Sequence, residues 1–334
     1  MSPPESRGYV PLSLPLGKAA DQIAPLQFDR QSGTITGAST AQIILIRLLA
    51  AGVRLSAHWS YRGFGTVCTL LRRMLPPQQI TVRLNADALL CFPFADGYWS
   101  ALLDPEFVYE ADIEIFLRGC ADINYTFLDC GANCGYWSVL VSSDPFGAKR
   151  AIAFEPSSQS FYLLSQNASI NRTGFQCQKS ALGSMAGVAR LTGSKHESLT
   201  IAGDDASAPG ESVPVMALDG MIEEGLVTPD ERCVIKLDVE GLEIDALEGG
   251  PRMLNGDCVV ICEDHGSDRQ HTVSRHILTR TVMKLFCFDP LTQRYEQLTD
   301  VSALDRIKRF RNRGYNVLAT SSAFWEQRIR AAMP

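Results

Sequence analysis

Phe127-Leu128-Asp129-Cys130-Gly131-Ala132-Asn133-Cys134-Gly135-Tyr136-Trp137 is the stretch that decides how this chain is read. An apolar run ends in an acid, two glycines follow four residues apart, and helical spacing resumes. The order predicts a strand, a tight turn and a helix N-terminus. Glycine lets the backbone turn sharply and lets a ligand approach within contact distance. In a doubly wound α/β fold such a turn faces the crevice at the carboxyl ends of the strands. A pyrophosphate loop would carry three glycines as G-x-G-x-x-G. Here the third is absent and Asp129 opens the turn, which suits a cationic ligand.

Working outward, strand and helix patterns alternate from residue 124. Strands are expected near 125–130, 150–155, 174–182, 233–238 and 257–263, and helices over 135–143, 157–170, 241–254 and 270–282. Such alternation predicts a mostly parallel sheet covered on both faces. Residues 187–219 interrupt it with short extended pieces, read as a small β insertion. Residues 284–320 alternate again and are expected to close the sheet with antiparallel strands. Upstream, 80–94 reads as strands around a turn at 85–87. Residues 104–118 read as a helix with Asp104 as N-cap and Pro105 at its first position. Residues 1–40 form a flexible lead-in, 41–104 an Arg-rich α/β extension, and 105–334 the main domain. The expected fold class is α/β, a doubly wound, Rossmann-like, mostly parallel seven-stranded sheet.

Three further strand ends carry acids. Glu155, followed by Pro156, ends the second strand 20 residues after Gly135, where a carboxylate accepts hydrogen bonds from vicinal ribose hydroxyls. Ile235-Lys236-Leu237-Asp238-Val239-Glu240-Gly241 ends a buried strand in two carboxylates, placed to hold a cofactor, orient an acceptor or act as base. Ile261-Cys262-Glu263-Asp264-His265-Gly266 brings a histidine beside acids, where it could take a proton from an acceptor hydroxyl or serve structure alone. Lys195-His196-Glu197, in the insertion, is a further candidate. An adenosine ligand that is cationic and carries no phosphate matches S-adenosylmethionine. A nicotinamide-dependent oxidoreductase on the same sheet and a non-catalytic scaffold stand as alternatives.

Together these motifs resemble the FkbM family of methyltransferases: LDCGANCGYWS at 128–138, FEPS at 154–157, a helix with Asn167 and Asn171, SALG at 180–183, VMALD at 215–219, VIKLDVEGLEIDALEGG at 234–250 and ICEDHG at 261–266. Phe107-Val108-Tyr109-Glu110 looks like the family's lead-in helix. The resemblance covers roughly 105–265. It implies a class I methyltransferase in which the Gly131–Gly135 loop, with Asp129 and Asn133, binds the methionine part of the cofactor. Glu155 would take the ribose, Ala181 would line the adenine, and Glu110 would help hold the amino group. Asp238 and Glu240 would lie at the reaction centre, with Glu263 and His265 beside them. Family members mostly resemble O-methyltransferases of sugars, glycolipids or polyketide-derived hydroxyls, so a hydroxylated small molecule, sugar or glycolipid is the expected acceptor. N-methylation of a small molecule or nucleic acid is the alternative.

The net charge of −6 argues against a chain built mainly to grip phosphate backbones. Yet between Asp29 and Asp87 there is no acid, while Arg30, Arg47, Arg54, Arg62, Arg72, Arg73 and Arg83 fall there. Two readings stand: a solvated basic face, or a dock for an anionic ligand or membrane surface. The ten cysteines show no regular framework and no CxxC, so buried reduced thiols are expected and no metal site. The longest apolar run, near 41–53, contains Arg47 and is short of the roughly 20 residues of a bilayer span. A cytoplasmic protein, peripheral to the membrane if the basic dock is real, is expected.

Overall fold

The computed structural model describes residues 26–59, 61–172, 174–191, 199–201, 210–310 and 314–333. The Lys195-His196-Glu197 candidate lies outside them, as does most of the expected lead-in.

The main sheet runs in the order Arg294–Leu298, Lys284–Asp289, Asn316–Thr320, Cys258–Glu263, Cys233–Leu237, Thr126–Cys130, Arg150–Phe154, Gln176–Gln178. The last five are mutually parallel, and the first three add antiparallel strands at one end. The sheet has eight strands, not seven, because the 284–320 segment folds a hairpin and supplies an extra edge strand. The chain starts in the middle at Thr126–Cys130, builds outward to Gln176–Gln178, then returns to the other side at Cys233–Leu237. The order therefore reverses between Thr126–Cys130 and Cys233–Leu237, and a crevice opens outside the carboxyl ends of those strands. Asp129 and Asp238 come from that pair.

Local chemistry moves several expected boundaries. The 241–254 helix breaks into Glu243–Glu248 and Pro251–Leu254, since Gly249 and Gly250 precede a proline that suits only a first turn. The 174–182 segment splits: Gln176–Gln178 stays in the main sheet, while Ala181–Leu182 pairs with Glu211–Met216 in the inserted four-stranded sheet. The insertion ends at Met216, and a helix over Leu218–Glu223 follows. The helix expected from Asp104 begins instead at Ala111. Asp104 is buried and accepts from Arg54 Nε at 2.8 Å, so tertiary pairing overrides its capping pattern.

Part of the expected lead-in, residues 26–36, is ordered into strands. Leu26–Asp29 pairs in parallel with Gln79–Arg83, which turns into Leu89–Pro93, so residues 26–36 belong to a second sheet. This sheet and the helix Thr40–Ala57 share one continuous core with Phe127, Val234, Ile261 and Trp325 on one face of the main sheet. A second core, with Leu128, Ile235, Leu237 and Cys262, fills the other face. Two asparagines of the helix Ser158–Ile170 and its end join the sheets. Asn167 accepts from Cys91 N–H at 2.7 Å and donates to the carbonyls of Cys91 and Cys134; Asn171 exchanges the same pair of bonds with Leu89. All ten cysteines are free thiols, and nine are buried.

The helix Thr40–Ala57 starts in a capping box built by Ser39 and Gln42 and runs 18 residues, beyond the apolar run read from sequence. It is long and apolar enough, by length and composition, to cross a membrane.

Candidate active site

At the reversal point the loop after Asp129 is locked by backbone bonds. Gly131 and Ala132 N–H both donate to Phe154 O at 2.9 Å, and Asp238 N–H donates to Cys130 O at 3.0 Å. Gly131 has φ +85° and lies against the carbonyl of Asp238, where a Cβ would collide. Gly135 has φ +87°, and a Cβ there would sit 2.7 Å from Leu164 Cδ1. Both glycines thus serve close packing of protein against protein, not only the ligand approach that the sequence suggested. Asn133 is exposed with φ +51°, and its N–H donates to Glu155 Oε2 at 2.9 Å.

Glu155 is buried, and its second oxygen accepts from Ser157 N–H at 2.9 Å. The two backbone donors fix the carboxylate while each oxygen keeps a free lone pair. Burial outweighs those donors and pushes the Glu155 carboxyl up to about 7. Pro156 is half-buried beside it, and Ala181 is buried in the inserted sheet.

Asp129 and Lys236 stand opposite each other in the parallel register, on the same face of the sheet. Asp129 Oδ2 accepts both the Ser138 N–H at 3.1 Å and its hydroxyl at 2.6 Å. Lys236 Nζ lies 2.7 Å from Asp238 Oδ2. Glu263, at the end of the adjoining strand, shares a hydrogen bond with Asp238. Glu110, half-buried nearby, accepts from Trp137 Nε1 at 2.7 Å and Asn316 Nδ2 at 3.3 Å. Four carboxyls therefore converge on one ammonium. Burial alone would lower Lys236, but Asp238, Glu110 and Asp129 raise it overall. Burial raises Glu110 and Asp129, with Lys236 pulling both back. Burial and the neighbouring Asp238 push Glu263 up to about 9, so it keeps its proton at neutral pH. Asp238 is held ionised, because Lys236 outweighs its burial. The cluster sets four carboxyl groups against one ammonium beside the crevice.

Two further predicted residues are more exposed than this cluster, and His265 is near enough for its charge to act on Asp238. Glu240 is exposed, with φ +55°. His265 is exposed, and its Nδ1 accepts from Ser267 N–H at 3.1 Å and contacts the Ser267 hydroxyl at 2.6 Å. In the neutral ring that bond leaves the proton on Nε2, so in this arrangement the outward nitrogen is a donor. Among the described residues no group of three or more His, Cys, Asp or Glu side chains is placed to hold a metal ion.

The family model described as the methyltransferase FkbM domain matches residues 129–316. The chain belongs to the FkbM methyltransferase family. FkbM methyltransferases use S-adenosylmethionine as methyl donor, which sets aside the nicotinamide alternative. The donor set fits that cofactor: its amino group and sulfonium are cationic, and the crevice is lined by the ionised Asp238 and further carboxyl groups. Glu155 offers oriented acceptors to a ribose.

The fold is similar to that of methyltransferase FkbM from Methylobacillus flagellatus KT, with 15% identity and a TM-score of 0.37 over 59% of this chain. The chain spans 43% of the length of that FkbM protein. It is also similar to precorrin-6y C5,15-methyltransferase from Geobacter metallireducens GS-15, with 13% identity and a TM-score of 0.36 over 65% of this chain and 91% of that one. An rRNA methylase from Streptococcus thermophilus gives 10% identity and a TM-score of 0.34 over 64% of this chain and 98% of that one. No curated protein matches the chain.

Sequence reasoning did not place Lys236, Trp137 or Asn316 in the site. Lys236 had a signal, a lone cation inside an otherwise apolar strand, which burial tolerates only with a counter-charge. Asn316, 206 residues from Glu110, had none.

Proposed function

We propose that this FkbM methyltransferase methylates a hydroxyl oxygen of a sugar, a glycolipid or polysaccharide precursor, or a natural product. The Asp238–Glu263 pair carries this reading. A hydroxyl must lose its proton as its oxygen is methylated, whereas a neutral amine attacks without help. Asp238 is an ionised carboxylate at the crevice, kept so by Lys236 and bridged by the protonated Glu263. It can accept the acceptor's proton, and Glu263 steadies the pair as that proton arrives. S-adenosylmethionine supplies a methyl group on a sulfonium, already a good leaving group. The chain's own contribution is therefore mostly alignment, worth about 7–11 kcal/mol in well-oriented reactions. Glu155 would hold the ribose hydroxyls, and Asp129 and Glu110 would face the amino group.

The test is S-adenosylhomocysteine release across a panel of hydroxylated sugars, lipid-linked sugars and matched amino sugars. Turnover with hydroxyl acceptors, lost in Asp238→Asn, supports the proposal. Turnover confined to amines would overturn it.

A further inference from the structure

The helix Thr40–Ala57 is apolar on two faces. Ile46, Leu49 and Val53 turn into the core. Ile44, Leu48 and Leu55 repeat at helical spacing on the opposite side and are 54–63% exposed. The next helix, Phe64–Met74, repeats the arrangement: Phe64 and Cys68 are buried, while Val67, Leu70 and Met74 are 55–75% exposed. The two helices meet where Gly52 leaves room for the Phe64 ring, and Trp59, also exposed, sits in the short connection. A helix apolar all round belongs in an apolar environment on every side, and a soluble monomer rarely leaves so much apolar surface together.

The charges sort themselves accordingly. Arg30 donates to the carbonyls of Asp104, Pro105 and Phe107; Arg54 pairs with Asp104, Arg72 with Asp96 and Arg83 with Asp29. Arg47, Arg62 and Arg73 are exposed, and none is in a salt bridge among the described residues. Arg47 and Arg73 flank the stripes on their two helices, and Arg62 lies in the connection between them. No acid occurs from Arg30 to Ala86, although the whole chain is negative. A second copy of the chain would bring this cationic face against itself. An anionic lipid surface complements both halves of the pattern.

We propose that the outer faces of Thr40–Ala57 and Phe64–Met74 dock the protein, without spanning, on a membrane containing anionic lipid. The apolar stripes enter the boundary of headgroups and acyl chains, and Arg47, Arg62 and Arg73 meet the phosphates. A spanning helix would have to strip Ile46, Leu49 and Val53 from the core. The inner face of Thr40–Ala57 lies on Trp99–Leu103, and Trp99 stacks on Tyr136 at the start of the helix that follows the Gly131–Gly135 loop. The inference does not depend on which acceptor is methylated.

Co-sedimentation with phosphatidylcholine vesicles, with and without about one third phosphatidylglycerol, tests this on the full chain. Binding is expected only with the anionic lipid and should weaken as salt rises. Arg47→Gln, Arg62→Gln and Arg73→Gln together should lower partitioning on the order of 100-fold, about fivefold per arginine. Leu48→Glu with Leu70→Glu should abolish it. Both positions are exposed, so melting monitored by circular dichroism should be unchanged, and that readout needs neither cofactor nor acceptor. Equal binding to neutral vesicles, no vesicle binding, or a dimer in light scattering that Leu48→Glu dissolves would each overturn the proposal.

Discussion

Two lysine–aspartate pairs flank this sheet, each at 2.7 Å with its aspartate directly after one of two neighbouring strands, and they do opposite things. Lys308 and Asp264 are sealed, with side-chain exposures of 0% and 1%. Lys308 also donates to Asp268 O at 2.8 Å, and Asp264 takes the Ser274 hydroxyl on its other oxygen. Every bond is made and the charges cancel. Lys236 and Asp238 are not sealed. Asp238 is 24% exposed, leans on a protonated Glu263, and shares its lysine with Glu110 and Asp129. A balanced ion pair holds structure. An unbalanced one with an open side is prepared for a visitor that carries positive charge and for a proton that must leave.

The sharpest way to break this comparison is to neutralise the open pair. Asp238→Asn should lower kcat by about 10²–10⁴-fold, the usual contribution of a general base. Stability should suffer little, since Glu110 and Asp129 still face Lys236. Steady-state kinetics beside a urea titration checks both halves; a variant that turned over normally would remove Asp238 from the chemistry. Next comes the sealed pair. Lys308→Met leaves Asp264 buried and unpaired and should cost about 3–5 kcal/mol of stability, with cofactor affinity of the folded fraction unchanged in calorimetry. If Lys308→Met were as stable as wild type, that pair would not be structural. Smaller is Asn167→Ala, which strips three buried hydrogen bonds and should cost about 1–3 kcal/mol in the same titration.

A separate effect is on pH. The folded Glu263 carboxyl sits at about 9 against 4.5 when unfolded. Between those values the folded state holds a proton that the unfolded chain has released, so stability should fall as pH rises across that window. Glu263→Gln keeps a hydrogen bond to Asp238 and cannot titrate, so its stability profile should be flatter. Unfolding measured at several pH values would show whether the two profiles differ.

The parallel half of the sheet and the acids at its strand ends were legible in the sequence, because strand periodicity and strand-end position are local properties. Asp129, Glu155, Asp238 and Glu263 stand where their strands end. What could not be read is how distant partners reassign a residue. Asp104 looked like a helix cap until Arg54, 50 residues away, claimed it. Gly131 reads as a ligand contact, and the sequence gives no sign that it also makes room for the carbonyl of Asp238. His265 carried the right side chain at the right strand end, and only its bond to Ser267 reveals which nitrogen is occupied. Residues 26–36 looked irregular because each strand there is four residues or fewer, too short to show a period.

Asn167 and Asn171 have one more consequence. Leu89–Pro93 is the last strand of its sheet, and a terminal strand normally presents unclaimed amides and carbonyls as a template for another polypeptide. Here the main-chain groups of Leu89 and Cys91 are taken by side-chain amides that imitate a neighbouring strand. The border is closed without adding backbone, so a small sheet beside a catalytic domain does not become a seed for chain-to-chain growth.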